Sequence, residues 1–150
     1  MQTIEQNHAF RSYRKNKMKA LAAKITKGIN IGSEVNVADN SGAKVARIVA
    51  IKRGKGRKGR QLACGVASLV KVSVRKGNPK MKKQVFFAVV VRQKKIYRRA
   101  TGERICFADN AIVLLKDAEG NPKGTQIKGP IAREAADRWP FVSRIANIII

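Results

Sequence analysis

Histidine is almost absent: His8 is the only one, and it lies in a basic N-terminal stretch rather than in the body of the chain. A Ser-His-Asp or Cys-His arrangement would therefore need a residue from outside the folded core. Acids are scarce too, nine in 150 residues, and they are scattered, so the clustered carboxylates of a metal-assisted nuclease are missing. What survives of catalysis is a basic ribonuclease, and the histidine count argues against it. The two cysteines, Cys64 and Cys106, stand far apart and outside any C-x-x-C pairing. They suit small buried apolar side chains in a reducing compartment and fit neither a disulfide framework nor a zinc site. No stretch of about 18 apolar residues occurs, and no apolar segment follows the basic start, so neither a membrane span nor a secretory signal is expected. The chain reads as soluble and intracellular. Aromatics make up 5% of it, too few for a general single-strand binder that works by stacking bases. No enzyme activity, cofactor or metal is expected.

Against those nine acids stand 33 lysines and arginines, a formal net charge of +24. Such an excess is beyond what solubility asks. It repels itself in the compact state and attracts any polyanion, which makes nucleic acid the default partner. Its distribution says more than its sum. Between Asp39 and Glu103 there is no acidic residue, while 19 lysines and arginines fall in that span. A merely solvated surface mixes the signs to limit repulsion, so a phosphate backbone accounts for the run better. With 44% apolar residues the chain can pack one core, since a domain of this length buries about 68–70% of its unfolded surface.

Residues 1–27 carry seven cations and only Glu5 as an anion, with Met18, Leu21, Ala22 and Ile25 at helical spacing. This is a basic N-terminal arm, either a short amphipathic helix or a segment that orders on its partner. Residues 28–150 form the domain proper. "EVNVA" alternates Val35 and Val37 inward with Glu34 and Asn36 outward, and "LVKVSVR" sets Val70, Val72 and Val74 against Lys71, Ser73 and Arg75. "VARIVAI" is a further strand. "VFFAVVV", residues 85–91, lacks alternation and is expected to be covered on both faces; "RICF" and "AIVLL" follow as two more strands. Turns lie at "DNSG", "KGNP", "TG" and "DAEGNP". The pattern predicts a mainly β fold, a small closed five-stranded barrel. One or two short helices end it: Pro130 opens the first, Ala132, Ala136 and Trp139 share a face, Glu134 pairs with Arg138, and Pro140 stops it. A second helix groups Phe141, Ile145 and Ile148. Trp139 and Phe141 are expected to be core anchors rather than a base-stacking pair.

The stretch "KRGKGRKGR" packs six cations and three glycines into residues 52–60. Gly54, Gly56 and Gly59 match G-x-G-x-x-G, yet the chain then reaches a strand rather than a helix, and no carboxylate occurs before Glu103. Arg60 and Gln61 stand where a P-loop needs Lys and Ser or Thr. The loop is a cationic finger whose glycines let backbone approach phosphate; its candidate contacts are Lys52, Arg53, Lys55, Arg57, Lys58 and Arg60. "RKGNPKMKK" adds Arg75, Lys76, Lys80, Lys82 and Lys83, and "RQKKIYRR" adds Arg92, Lys94, Lys95, Arg98 and Arg99, with Tyr97 able to stack on a base. Loops projecting from one side of a barrel would grip several backbone segments of a folded RNA by shape and phosphate.

"VADNSGAKVARIVAIK", "AVVVRQKKIYRRATGERICFADNAIVLL" and "PKGTQIKGPIAREAADRW" closely resemble the universal large-subunit ribosomal protein fourteen family, number twenty-three in eukaryotic nomenclature. "VRKGNPKMKKQV" and "REAADRWP" resemble its archaeal and eukaryotic branch. The resemblance covers roughly residues 28–150. Thr101 stands where Asp is usual before Gly102, and "GVAS" at 65–68 stands where a Gly-Asp turn is common. The resemblance implies a barrel bound to large-subunit ribosomal RNA near the subunit interface in the cytoplasmic ribosome, contributing to intersubunit bridges in translation. It further implies contacts with neighbouring large-subunit proteins, small-subunit RNA and the anti-association initiation factor. The alternative is an extra-ribosomal basic RNA-binding protein or RNA chaperone.

Overall fold

Short β-branched runs build the structure, a computed structural model that describes residues 25–52, 56 and 61–150. The expected N-terminal arm lies outside the described residues except for Ile25–Lys27. β1 (Ile29–Asn30) pairs antiparallel with β4 (Ala63–Cys64) beside the main sheet. That sheet comprises β2 (Glu34–Val37), β3 (Ala43–Ile51), β5 (Leu69–Gly77), β6 (Val85–Arg92) and β9 (Ala111–Leu115), closed in the order β2-β3-β5-β6-β9. Neighbours run antiparallel except at the closing seam, where Asn36 faces Ala111 and Val37 faces Ile112 in parallel register. Register shifts in β3, between Ala43 and Ala46 and between Ile48 and Ala50, supply the extra local twist that a sheet this small needs to close. The predicted five-stranded barrel is therefore observed. "RICF" is the exception among the expected strands: it yields β8 (Arg104–Ile105), which pairs with β7 (Tyr97–Arg98) in a hairpin outside the barrel. Its apolar row, Ile105 and Phe107, packs on the outer cluster instead of entering the barrel, while Arg104 and Cys106 are exposed.

The apolar side chains divide into two clusters. Val35, Ile48, Val70, Val72, Val74, Ala88, Val90, Ile112 and Leu114 fill the barrel with Cys64. A second cluster covers the outside of β6 and β9, where Val89, Val91, Val113 and Leu115 meet Tyr97, Ile127, Ile131, Ala135, Trp139 and Val142. β9 is thus buried along its whole length. β6 meets the expectation of two-sided coverage only over Ala88–Val91. Val85 is 58% exposed, and Phe86 and Phe87 are half-buried, because the outer layer stops short of the strand's beginning. Cys64 is buried in the barrel, and burial pushes its thiol up to about 11, whereas Cys106 is exposed rather than an interior apolar group.

The outer layer is built by β10 (Pro130–Ile131), α1 (Arg133–Arg138), α2 (Pro140–Arg144) and β11 (Ile148–Ile149), with β10 and β11 paired in parallel. Pro130 does not open the helix. It lies in β10 opposite Ile148, its carbonyl accepts a bond from Arg92, and α1 begins only after Ala132. Pro140 instead occupies the start of α2, where a missing N–H is no loss. Ile148 does not share a helical face with Phe141 and Ile145; it sits in β11, 54% exposed. Phe141 is half-buried, with the Arg144 guanidinium 5.4 Å from its ring centre. Trp139 is the anchor it was expected to be: 2% exposed, with Nε1–H donating to the Ala67 carbonyl at 3.0 Å. That carbonyl is aimed by an unusual backbone, for Ala67 has φ 64°, and its N–H donates to the Val90 carbonyl at 2.8 Å. The strained alanine of "GVAS" is fixed from both sides.

Gly120 closes the "DAEGNP" turn against the tryptophan. Its φ is +110°, and a Cβ there would stand 2.6 Å from Trp139 Cε3. Gly120→Ala combines left-handed strain with overpacking and should destabilise the protein by about 2–4 kcal/mol. Urea unfolding followed by Trp139 fluorescence measures this; an unchanged midpoint would mean that the ring is not seated on this turn.

Candidate nucleic-acid interface

Three of the scarce acids, Asp39, Asp109 and Glu134, are drawn into the fold and take particular partners. Asp39 is buried; its Oδ2 accepts the Leu114 N–H at 2.7 Å, and its Oδ1 accepts both the backbone N–H and the hydroxyl of Ser41. Asp109 receives the Arg92 fork, with Nε at 2.7 Å and Nη2 at 3.1 Å. The Arg92 hydrogen bonds, aided by Asn36 against some burial, hold the Asp109 carboxyl below the usual carboxylate range. Arg92 Nη1–H also donates to the carbonyls of Lys128 and Pro130, so this one side chain ties the end of β6 to the Asp109 turn and to β10. Glu134 accepts from the Tyr97 hydroxyl at 2.9 Å and from Arg99 Nε at 2.6 Å. It therefore locks the β7–β8 hairpin onto α1. Burial, with the Glu134 carboxylate beside it, lifts the Tyr97 phenol well above its ordinary value.

Several sequence-nominated contacts are therefore reassigned. Tyr97 is 1% exposed, so its ring has no face for a base. Arg92, 9% exposed, serves the internal fork. Arg99 is held between Glu134 and Glu103 and donates to the Ile150 carbonyl. Apart from Glu103, four residues from Arg99, the partners that make these roles lie 17 to 51 residues away, beyond any local pattern. Lys52, Arg75, Lys76, Lys80, Lys82, Lys83, Lys94, Lys95 and Arg98 are exposed. Arg53, Lys55, Arg57, Lys58 and Arg60 lie outside the described residues.

The exposed cations do not share one side. β3 and β6 run one way and β5 and β9 the other, so the β5–β6 turn with Lys76, Lys80, Lys82 and Lys83 lies at one end of the barrel, beside the β2–β3 turn. The Asn78 N–H donates to the Gly42 carbonyl at 2.9 Å and joins those two turns. The connection after β3, which starts at Lys52, and the connection after β6, with Lys94, Lys95 and Arg98, lie at the opposite end. The barrel presents two cationic ends, not a single grip.

Two further cations stand against the rings near the beginning of β6. Lys71 Nζ lies 5.1 Å from the Phe87 ring centre and Lys123 Nζ 4.5 Å from that of Phe86; such exposed cation–π contacts are worth about 0.5–1 kcal/mol each. The unbroken apolar run "VFFAVVV" gives no local signal of their exposure. Among the described residues no group of three His, Cys, Asp or Glu side chains could hold a metal ion, and no helix is long and apolar enough to cross a membrane.

The family model described as ribosomal protein L14p/L23e matches residues 28–150. The chain is 56% identical over 133 residues to the "Large ribosomal subunit protein uL14" of Nanoarchaeum equitans, covering 89% of this chain and 100% of that protein. It is 50% identical over 132 residues to the protein of the same name from Methanococcus maripaludis and 48% identical to that from Methanococcus vannielii, each match covering 88% of this chain and 99% of the relative.

The Arg92 fork makes a stability prediction with a defined pH sign. Asp109 titrates lower in the folded chain than its ordinary 3.8, so the pair stabilises fully above about pH 5 and fades as pH falls through the folded value. Arg92→Ala should cost about 3 kcal/mol at pH 7, the low end for a broken buried pair because Asp109 is partly exposed. The gap to wild type should narrow at pH 3 in urea unfolding. An equal gap at both pH values would assign Arg92's contribution to its carbonyl bonds alone.

Proposed function

The chain belongs to the ribosomal protein L14p/L23e family, and from that premise we propose that it is a structural constituent of the large ribosomal subunit that grips the subunit's RNA with a cationic surface at each end of its barrel. The sorting of charge carries this reading. Asp39, Asp109 and Glu134 are engaged inside the fold, while lysines crowd the turns at both ends of a chain with net charge +24. Lysine and arginine displace condensed counterions from phosphates, so binding is driven by ion release and weakens steeply with salt. For about 6–10 phosphate contacts, the duplex analogy gives a loss of roughly 10³–10⁵ in affinity between 50 and 200 mM salt.

The glycine-rich 52–60 loop and the arm at 1–27 are part of the same proposal, as further cationic contacts. So are neighbouring large-subunit proteins, small-subunit RNA across the interface and the anti-association initiation factor, each carried by the resemblance of the matched segments. The low aromatic content supports recognition by shape and phosphate rather than by a general array of stacked bases.

Sedimentation of native lysate in sucrose gradients, with magnesium present and then removed, tests the assembly. Recovery with the large subunit in both conditions is expected; recovery only in light fractions would favour an extra-ribosomal RNA-binding role. The clamp itself is tested by a triple variant, Lys76→Gln, Lys80→Gln and Lys82→Gln, at the β5–β6 end. Its binding to large-subunit ribosomal RNA should weaken, and the slope of log affinity against log salt should flatten by about 2–3, near one unit per lost phosphate contact. An unchanged slope would remove this end of the barrel from the phosphate contacts.

A further inference from the structure

At the beginning of β6 lies an open recess of about 200 Å³ lined by Lys71, Val85, Phe86, Phe87 and Lys116. Its geometry follows from the strands. Lys71 in β5 stands directly across from Phe87 in β6, and Phe87 faces Leu115 in β9, the residue before Lys116. Successive residues of a strand point to opposite faces, so Phe86 comes from the barrel's inner row and Phe87 from the outer row. Both are only half-buried where the outer layer ends. The turn after β9 folds back through the Lys123 N–H, which donates to the Leu114 carbonyl at 2.9 Å, and this sets Lys123 over the Phe86 ring.

We propose that this recess takes one unstacked nucleotide of an RNA strand, the base lying on the Phe87 ring beside Val85 and the flanking phosphate on Lys71 and Lys116. The proposal rests on the reading of the chain as an RNA-binding protein and adds a base-contacting site to it. The recess is smaller than the roughly 300–1,000 Å³ of a small-molecule site, which suits one planar group rather than a whole cofactor. A carboxylate would satisfy the ammonium groups and leave the Phe87 ring unused, whereas a nucleotide supplies a planar π surface and a phosphate together. Lys71 over the Phe87 ring does not obstruct this, because an ammonium held by a ring in solvent exchanges readily for a charged phosphate oxygen, the stronger partner. Phe141 under Arg144 is a lone ring outside this recess and offers no second aromatic surface.

The test compares two short single-stranded RNAs that differ at one central position, 2-aminopurine in one and an abasic sugar in the other. The full-length protein should prefer the base-bearing strand by roughly 5- to 150-fold, the range for one base stacked on an aromatic side chain, with aminopurine fluorescence falling on binding. The variant Phe87→Leu keeps apolar volume for the core contacts and should lose that preference. Its affinity for the abasic strand and its salt slope on ribosomal RNA should stay at wild-type values. Lys71→Gln with Lys116→Gln should weaken both strands alike and retain the preference. Equal binding of the two strands by wild type, or a preference that survives Phe87→Leu, overturns the proposal. Neither result alters the salt slope at the β5–β6 turn, so the failure of this site and the failure of the phosphate clamp are separately visible.

Discussion

Burial of β6 and β9 on both faces is the constraint on which the rest of the molecule depends. A barrel of five short strands can fill its own interior with valine, isoleucine and alanine, as the inner cluster does. It cannot by itself protect Val89, Val91, Val113 and Leu115 on the outside, and the chain after β9 exists in this shape to cover them. Trp139 is the centre of that cover. Its ring needs the bare Cα of Gly120 on one side, and its N–H needs the Ala67 carbonyl, which in turn needs a left-handed backbone at an alanine. Two short helices that would be marginal in isolation are held by this seat rather than by their own caps, for neither has a side-chain cap.

Charge follows from the same economy of parts. With so few acids in a chain so rich in cations, each carboxylate placed inside does the work of several contacts. Asp39 staples β9 to the β2–β3 turn, Asp109 orients Arg92 across three segments, and Glu134 fixes the hairpin to α1. Arg92 and Arg99 are removed from the surface by this arrangement, while the lysines remain on it. Guanidinium forks suit the buried, bidentate pairings, and compact ammonium groups on flexible stems suit the solvated turns.

The barrel strands were legible because alternation is a local property: Val35 and Val37, or Val70, Val72 and Val74, declare an inner row without reference to the rest of the chain. Turns were legible for the same reason, with Gly42, Gly102 and Gly120 all at positive φ where the sequence placed them. What failed to show was every feature decided by distant partners. Pro130 has the chemistry of a helix start, yet its pairing with Ile148 and its bond to Arg92 put it in a strand. Tyr97 sits among cations in sequence and under α1 in space. Phe86 and Phe87 belong to an unbroken apolar run, and only the extent of a covering layer formed some 45 residues later reveals their exposure. The side of the barrel on which each cationic cluster emerges was likewise a matter of strand count and direction, which composition does not contain.

The antiparallel alternation of β3, β5 and β6 turns the barrel into a spacer. Strands of eight or nine residues, rising about 3.3 Å per residue and tilted in the barrel wall, set the two lysine-bearing ends roughly 20–30 Å apart. A closed sheet has no free edge along which it can slide or lengthen, so that separation is a fixed length rather than an average. Two polyanionic segments seated on the ends would be held at arm's length from each other as well as held to the protein. A change that loosens the wall, without touching a single lysine, would then be felt as an error of distance between the segments.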